Sequence, residues 1–187
     1  MYADIINTVS PTYAQEITTP VYGEGLNDLL SERRSRLFGI LNGIDTGLYN
    51  PEIDSNIQFH YSLKTLDLKT KNKSVLQRKF NLPVRDDVPL FGIVSRLTDQ
   101  KGFGLLMDAG EPLLENFDIQ LVIVGSGEGH FMTLFQELAK KYPPKVAIYL
   151  GYDEVLAHTV YAGADAILIP SRFEPSGLTQ MEAMAYG

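Results

Sequence analysis

Four clusters of residues in this sequence have the types and spacing to do chemistry. The first is Ser95-Arg96-Leu97-Thr98-Asp99-Gln100-Lys101-Gly102, in which Arg96 and Lys101 stand five positions apart. A fork-shaped guanidinium and a compact ammonium suit a diphosphate; the alternative is two surface charges. The second is Gly125-Ser126-Gly127-Glu128-Gly129, where glycines let backbone approach a ligand closely. It lacks the full G-x-G-x-x-G dinucleotide pattern, because His130 follows, and a simple tight turn fits equally well. The third is Gly151-Tyr152-Asp153-Glu154, whose tyrosine can either stack on a nucleobase or pack on the following helix. The fourth is Ser171-Arg172-Phe173-Glu174-Pro175-Ser176-Gly177-Leu178-Thr179-Gln180-Met181-Glu182. Its two glutamates, Glu174 and Glu182, stand eight positions apart, with Gly177-Leu178-Thr179 between them offering free N–H groups at a helix start. Carboxylates would repel phosphate, so these two are expected to accept hydrogen bonds from hydroxyls, one on a sugar and one on a ribose. The alternative is an ordinary charged helix start.

The elements that must hold these clusters alternate in the second half of the chain. Short apolar runs at 89–95, 119–124, 146–150 and 166–169 predict strands. Helical spacing predicts helices over 102–116, 128–141, 153–162 and 177–186. Asp153 is the expected N-cap of the third helix and Gly163 the residue just past its end. Strands that are apolar throughout, each followed by a helix, imply a parallel sheet covered on both faces: a Rossmann-like, doubly wound α/β unit. In such a sheet ligands bind beyond the carboxyl ends of the strands, which is where all four clusters fall. Four strands are fewer than the about five or six usual for a sheet, and the sequence is expected to be truncated at its C-terminus.

The first half is less regular. A strand is expected over 5–9, a helix over 11–17 capped by Ser10 with Pro11 in its first turn, a helix over 26–37 and a strand over 38–41 ending in Asn42-Gly43. The segment from Asn50 to about Pro83 is polar and mixed, with a basic helix near 69–80. The expected division is therefore residues 1–50 as the tail of a preceding lobe, 51–84 as a connection, and 85–187 as a nucleotide-sugar-binding lobe.

Composition narrows the function. The chain has 187 residues, 44% hydrophobic and 21% charged, an ordinary globular balance. No apolar run approaches the ~20 residues that span a bilayer, and Met1-Tyr2-Ala3-Asp4 opens without a basic region and apolar stretch. A cytoplasmic protein without a membrane partner is expected. A net charge of −7 argues against nucleic acid as a partner. The basic residues at 33–36 and across 64–79 read as solvated helical faces. Cysteine is absent, and His60, His130 and His158 do not form a metal-ligand pattern.

The run Pro170 to Gln180 closely resembles the glycogen/starch synthase signature P-S-R-F-E-P-C-G-L-T-Q. Ser95 to Gly102 resembles the S-R-L-T-x-Q-K-G of the same family, and Thr8-Val9-Ser10-Pro11-Thr12-Tyr13-Ala14 and Leu41-Asn42-Gly43-Ile44-Asp45 are also similar to it. The resemblance runs in order from about residue 3 to the last residue. It implies the C-terminal lobe of a two-lobed GT-B fold and transfer of glucose from ADP-glucose, or UDP-glucose, to the non-reducing end of an α-1,4-glucan. The anomeric configuration would be retained, and no metal or other cofactor is implied. In that family's pattern Arg96 and Lys101 would neutralise the leaving diphosphate, helped by N–H groups near Ser176, Gly177, Leu178 and Thr179. Glu174 would bind glucose hydroxyls, Tyr152 would stack on the base beside Gly151, and Glu182, matching the E-x7-E of related transferases, would bind ribose. A plastid location would follow for a plant or alga. Ser176 stands where the signature has cysteine, a change activity is expected to tolerate. The family's K-x-G-G loop, its catalytic-lobe histidine and its T-G-G-L segment are missing, so the chain alone is expected to be nearly inactive. Another retaining GT-B enzyme, such as a sucrose synthase relative, and a non-catalytic nucleotide-binding remnant are the alternatives.

Overall fold

The computed structural model describes residues 3–187; Met1 and Tyr2, where the N-terminal reading begins, lie outside the described residues. The chain divides into two compact units. The smaller holds residues up to Ile44 together with Glu174–Leu178, and the larger holds Asp45–Phe173 and Thr179–Gly187.

In the smaller unit, β1 (Ile6–Thr8) leads into α1 (Pro11–Glu16), then α2 (Asn27–Glu32) and β2 (Leu37–Gly39). Ser10 caps α1 as expected: its hydroxyl accepts the Tyr13 N–H at 3.0 Å, and Pro11, lacking an N–H, fills the first turn. The helix expected over 26–37 is shorter. It stops at Glu32, passes through a 3-10 turn at Arg34–Arg36 and becomes strand at Leu37. Parallel pairing of β2 with β1, Ile6 opposite Leu37, satisfies the backbone there and buries Leu37 with Ala14 and Leu30. This tertiary pairing overrides the helical spacing of the sequence.

In the larger unit the order is α3 (Lys69–Lys79), β3 (Leu90–Val94), α4 (Gly104–Asn116), β4 (Gln120–Gly125), α5 (Gly129–Lys141), β5 (Val146–Leu150), α6 (Glu154–Gly163), β6 (Ala166–Ile167) and α7 (Leu178–Ala185). The four strands form one parallel sheet in the order β5-β4-β3-β6. Alternation along β4 shows why the runs are apolar throughout. Leu121 and Ile123 pack with Phe103, Phe131, Phe135 and Leu138 of the α4/α5 layer, while Val122 and Val124 pack with Leu76, Leu156 and Val160 of α3 and α6. Each fully buried side chain of this size contributes about 1.5–3 kcal/mol. The expected doubly wound α/β sheet is present, with helices on both faces.

Three local expectations give way to packing. Gly163 is the last residue of α6 rather than the residue beyond it. A Cβ there would press to 2.7 Å on the Asn72 carbonyl and on Leu76, so glycine lets α6 lie against α3. The strand expected over 166–169 pairs only at Ala166–Ile167, with the Leu168 N–H making a last bond to Gly92 O. The chain then leaves the sheet to bring Pro170 against Gly102. The basic face over 64–79 is only partly solvated: Lys73 is 6% exposed and bonds Asp165 at 2.7 Å, and Lys69 donates to the carbonyls of Tyr161 and Tyr186 at 3.1 Å each. Residues of the polar segment 51–84 also enter the core of this unit, with Ile57, Tyr61, Leu76 and Leu82 buried.

Candidate functional site

The loop after β3 carries Arg96 and Lys101, and backbone contacts hold it. The Leu97 N–H donates to Ser126 O at 2.9 Å, and the Glu128 N–H donates to Leu97 O at 2.8 Å. Leu97 is fully buried and acts as the anchor. This zipper explains the glycines of the Gly125-Ser126-Gly127 run. A Cβ on Gly125 would overlap the Ser95 carbonyl, and one on Gly127 the Leu97 carbonyl. These two glycines therefore serve a loop-to-loop approach. The far end of the loop is closed by Gly102, in the left-handed region at φ +72°, and by the Arg172 N–H donating to Gln100 O at 3.0 Å. Lys101 sits in the 3-10 turn Asp99–Lys101 and is half-buried.

Beyond the carboxyl ends of β3, β4 and β5 lies a cavity of about 290 Å³. It is lined by Arg96, Ser126, Gly151, Tyr152, Thr179 and Glu182, among others. Five of the sequence-derived site residues, Arg96, Gly151, Tyr152, Thr179 and Glu182, are thus brought together. Lys101 is not in the lining. Tyr152 is 86% exposed, which removes the alternative of a ring packed on α6 and leaves its face open. Asp153 caps α6, accepting the Leu156 N–H at 2.9 Å, so its carboxylate is committed to the helix.

Charge is segregated across the cavity. Arg96 stands on the loop after β3, and the carboxylates of Glu154 and Glu182 stand on α6 and α7. Glu182 accepts a hydrogen bond from the Tyr161 hydroxyl at 2.9 Å. Tyr49 borders the same space, and burial, with the Glu182 carboxylate beside it, pushes its hydroxyl up to about 12. Burial and Glu182 push the Tyr161 hydroxyl up as well. Such a cavity suits a ligand with an anionic end and a hydroxylated part.

Glu174, Ser176, Gly177 and Leu178 belong to the smaller unit. Glu174 is half-buried, Gly177 adopts φ +72°, and α7 starts at Leu178. Ser176 has a partner the sequence did not suggest: its hydroxyl accepts from Asn42 Nδ2 at 2.9 Å. No group of three His, Asp or Glu side chains that could hold a metal occurs among the described residues. No helix among them is long and apolar enough to cross a membrane.

Residues 75–187 match the family described as Glycosyl transferases group 1. The chain belongs to that family. Residues 1–32 of this group 1 glycosyl transferase also match the family described as Starch synthase catalytic domain. It is 51% identical over 185 residues to a glycogen synthase of Geobacillus stearothermophilus, covering 99% of this chain and 38% of that protein. It is 48% identical over 186 residues to a glycogen synthase of Desulforamulus reducens, covering 100% and 38%. The chain therefore spans under two-fifths of the length of these relatives. Among solved structures, the catalytic domain of starch synthase IV from Arabidopsis thaliana bound to ADP and acarbose aligns with a TM-score of 0.91 at 40% identity, covering 99% of this chain and 38% of that one. The α/β architecture with parallel sheets is that of GT-B glycosyltransferases. Anabaena HepE in complex with UDP and glucose, at 17% identity and a TM-score of 0.63, shares the fold.

Two residues of this group 1 cavity escaped sequence reasoning. Tyr161 lies in an apolar stretch of α6 and reads as core. Tyr49 lies outside any strand or helix. Neither belongs to a quoted motif. What brings them to Glu182 is the packing of α6 and the 45–61 segment on the sheet, which no local signal announces. Behind Tyr49, the buried His158 ring stacks at 4.9 Å and 13°.

Proposed function

We propose that this chain carries the donor-binding part of a retaining glucosyltransferase of the glycogen/starch synthase kind. Its reaction is transfer of glucose from ADP-glucose to the non-reducing end of an α-1,4-glucan. The observation that carries the reading is the cavity itself: Arg96, Tyr152, Gly151, Thr179 and Glu182 meet at the carboxyl edge of the parallel sheet, the position where doubly wound sheets bind nucleotides. The glycogen synthase relatives near 50% identity support the substrate class, and the ADP bound to starch synthase IV supports an adenine nucleotide.

In this reading Arg96 and Lys101 neutralise charge developing on the diphosphate as the glucosyl bond breaks, an electrostatic stabilisation by preplaced donors. N–H groups of Gly177, Leu178 and Thr179 at the start of α7 assist, with Ser176 beside them. Glu174 accepts hydrogen bonds from glucose hydroxyls, Tyr152 stacks on the base over Gly151, and Glu182 accepts from ribose. The leaving phosphate takes the acceptor's proton. Residues 1–50 are assigned to the end of an N-terminal lobe, 51–84 to the connection and 85–187 to the donor lobe. The setting is the cytoplasm.

Calorimetry with ADP tests this. Arg96→Ala removes a charge-assisted contact worth about 1.5–3 kcal/mol and should weaken ADP by roughly 10- to 100-fold. Unchanged affinity would refute the assignment.

A further inference from the structure

Tyr49 lines the cavity from a segment with no strand or helix to hold it. What fixes its ring lies behind it. The His158 ring of α6, fully buried, stacks on Tyr49 with centroids 4.9 Å apart and planes 13° apart. His158 Nδ1 lies 2.8 Å from Asp54 Oδ2 and 2.9 Å from the Tyr186 hydroxyl. A carboxylate only accepts, so Nδ1 carries the hydrogen that closes the first contact. The Tyr186 hydroxyl donates to the same Asp54 oxygen at 2.5 Å, and the Asn56 N–H donates to Oδ1 at 2.8 Å. Burial pushes the Asp54 carboxyl up, but the hydrogen bonds from Tyr186, Asn56 and His158 outweigh it and hold the group below its ordinary value. Tyr186, just past the end of α7, is anchored in turn. Its carbonyl accepts from the Tyr61 hydroxyl at 2.7 Å and from Lys69 Nζ at 3.1 Å.

Segments far apart in sequence thus meet at one histidine. Its ring cannot turn without breaking the Asp54 contact, and the Tyr186 ring meets it edge-on, 6.0 Å away at 88°. Its other nitrogen, Nε2, is buried without a hydrogen-bond partner among the described residues. A buried nitrogen left unpaired is destabilising, and an apolar ring in its place would not be. Core stability alone therefore does not call for histidine. What histidine adds is a flat face whose angle is locked through one edge.

We infer that His158, Asp54 and Tyr186 are positioning residues: locked together, they hold the Tyr49 ring as a fixed wall of the cavity, so that the nucleotide meets a preorganised surface. This inference rests on the donor-site reading above. The competing view is that the network only ties the 45–61 segment to α6 and α7. The two differ in whether its loss reaches the ligand through Tyr49.

The test is a double-mutant cycle read by calorimetric binding of ADP to the 187-residue chain, with thermal melts recorded throughout. Tyr186→Phe keeps the buried ring and deletes the hydroxyl; it should weaken ADP by about 3- to 10-fold. Tyr49→Ala removes the wall and should weaken ADP by about 10-fold. The double variant should bind within about 2-fold of Tyr49→Ala alone, although Tyr186→Phe lowers the melting temperature in both backgrounds. Losses that multiply in the double variant, or an ADP affinity of Tyr186→Phe within about 2-fold of the unmodified chain, would reduce the network to a structural tie. His158→Asn, which removes the stacked ring but keeps an N–H for Asp54, is a second arm read by the same cycle with the same expected losses; it carries the test if Tyr186→Phe does not fold. Arg96→Ala separates the two levels. If it weakens ADP while Tyr186→Phe and His158→Asn do not, only this inference falls; if the unmodified chain does not bind ADP, the donor-site reading falls and takes this one with it.

Discussion

Replacing Gly102 by alanine tests whether backbone packing shapes the loop that carries Arg96 and Lys101. Gly102 lies at φ +72°, where a non-glycine residue costs about 1–2 kcal/mol. Its added Cβ would overlap the carbonyl oxygen of Pro170, a backbone atom with no rotamer to escape into. The loop must then part from the 170–172 segment, and the Arg172 N–H to Gln100 O bond at 3.0 Å, worth about 1 kcal/mol, is lost. The sum is about 2–3 kcal/mol. At roughly 2–4 °C per kcal/mol for a chain of this size, the melting temperature should fall by about 4–12 °C. ADP affinity should fall too, since Arg96 is displaced. Thermal melts and calorimetry on Gly102→Ala read both effects. Gly129→Ala, where an added Cβ meets nothing within 4 Å, is the neutral control for stability. A Gly102→Ala protein that melts within about 1 °C of the unmodified chain and binds ADP equally well would refute the argument.

Two further outcomes follow from buried charge. The Lys73–Asp165 pair, with Lys73 buried and Asp165 half-exposed, falls between a surface and a fully buried ion pair. A double-mutant cycle of Lys73→Met and Asp165→Asn should give a coupling of about 1–2 kcal/mol, and a coupling near zero would show that the two charges stabilise nothing together. Stability should also depend on alkaline pH in two opposed steps. Burial lowers Lys69 from 10.5 to about 8 despite the attraction of Asp165, so between those values the unfolded chain holds a proton the folded chain lacks, and stability rises with pH. Burial raises Tyr61, Tyr161 and Tyr186 above their ordinary 10, so above pH 10 the unfolded chain loses protons the folded chain keeps, and stability falls. Denaturant titrations should show a maximum near pH 10, with the rise from pH 8 missing in Lys69→Met; an unchanged rise in that variant would sink the Lys69 assignment.

The sequence by itself determined the parallel sheet and its helices, because runs such as 119–124 are apolar on both faces and only a doubly covered strand needs that. It also determined the candidates Arg96, Tyr152 and Glu182, since guanidinium, aromatic ring and carboxylate advertise their chemistry at the ends of those strands. Asp153 and Ser10 were legible as caps because capping is a bond to the residue's own next turn. Only tertiary structure decided the rest. Helical spacing at 33–37 lost to pairing of β2 with β1, and Gly125 and Gly127 proved to answer to Ser95 and Leu97. Tyr49 and Tyr161 reach Glu182 from far along the chain, and Lys73 left the solvated face for Asp165. Periodicity and composition report what a residue does to its neighbours in sequence. A partner dozens of positions away is chosen by how the layers pack, and that choice leaves no mark on the local pattern.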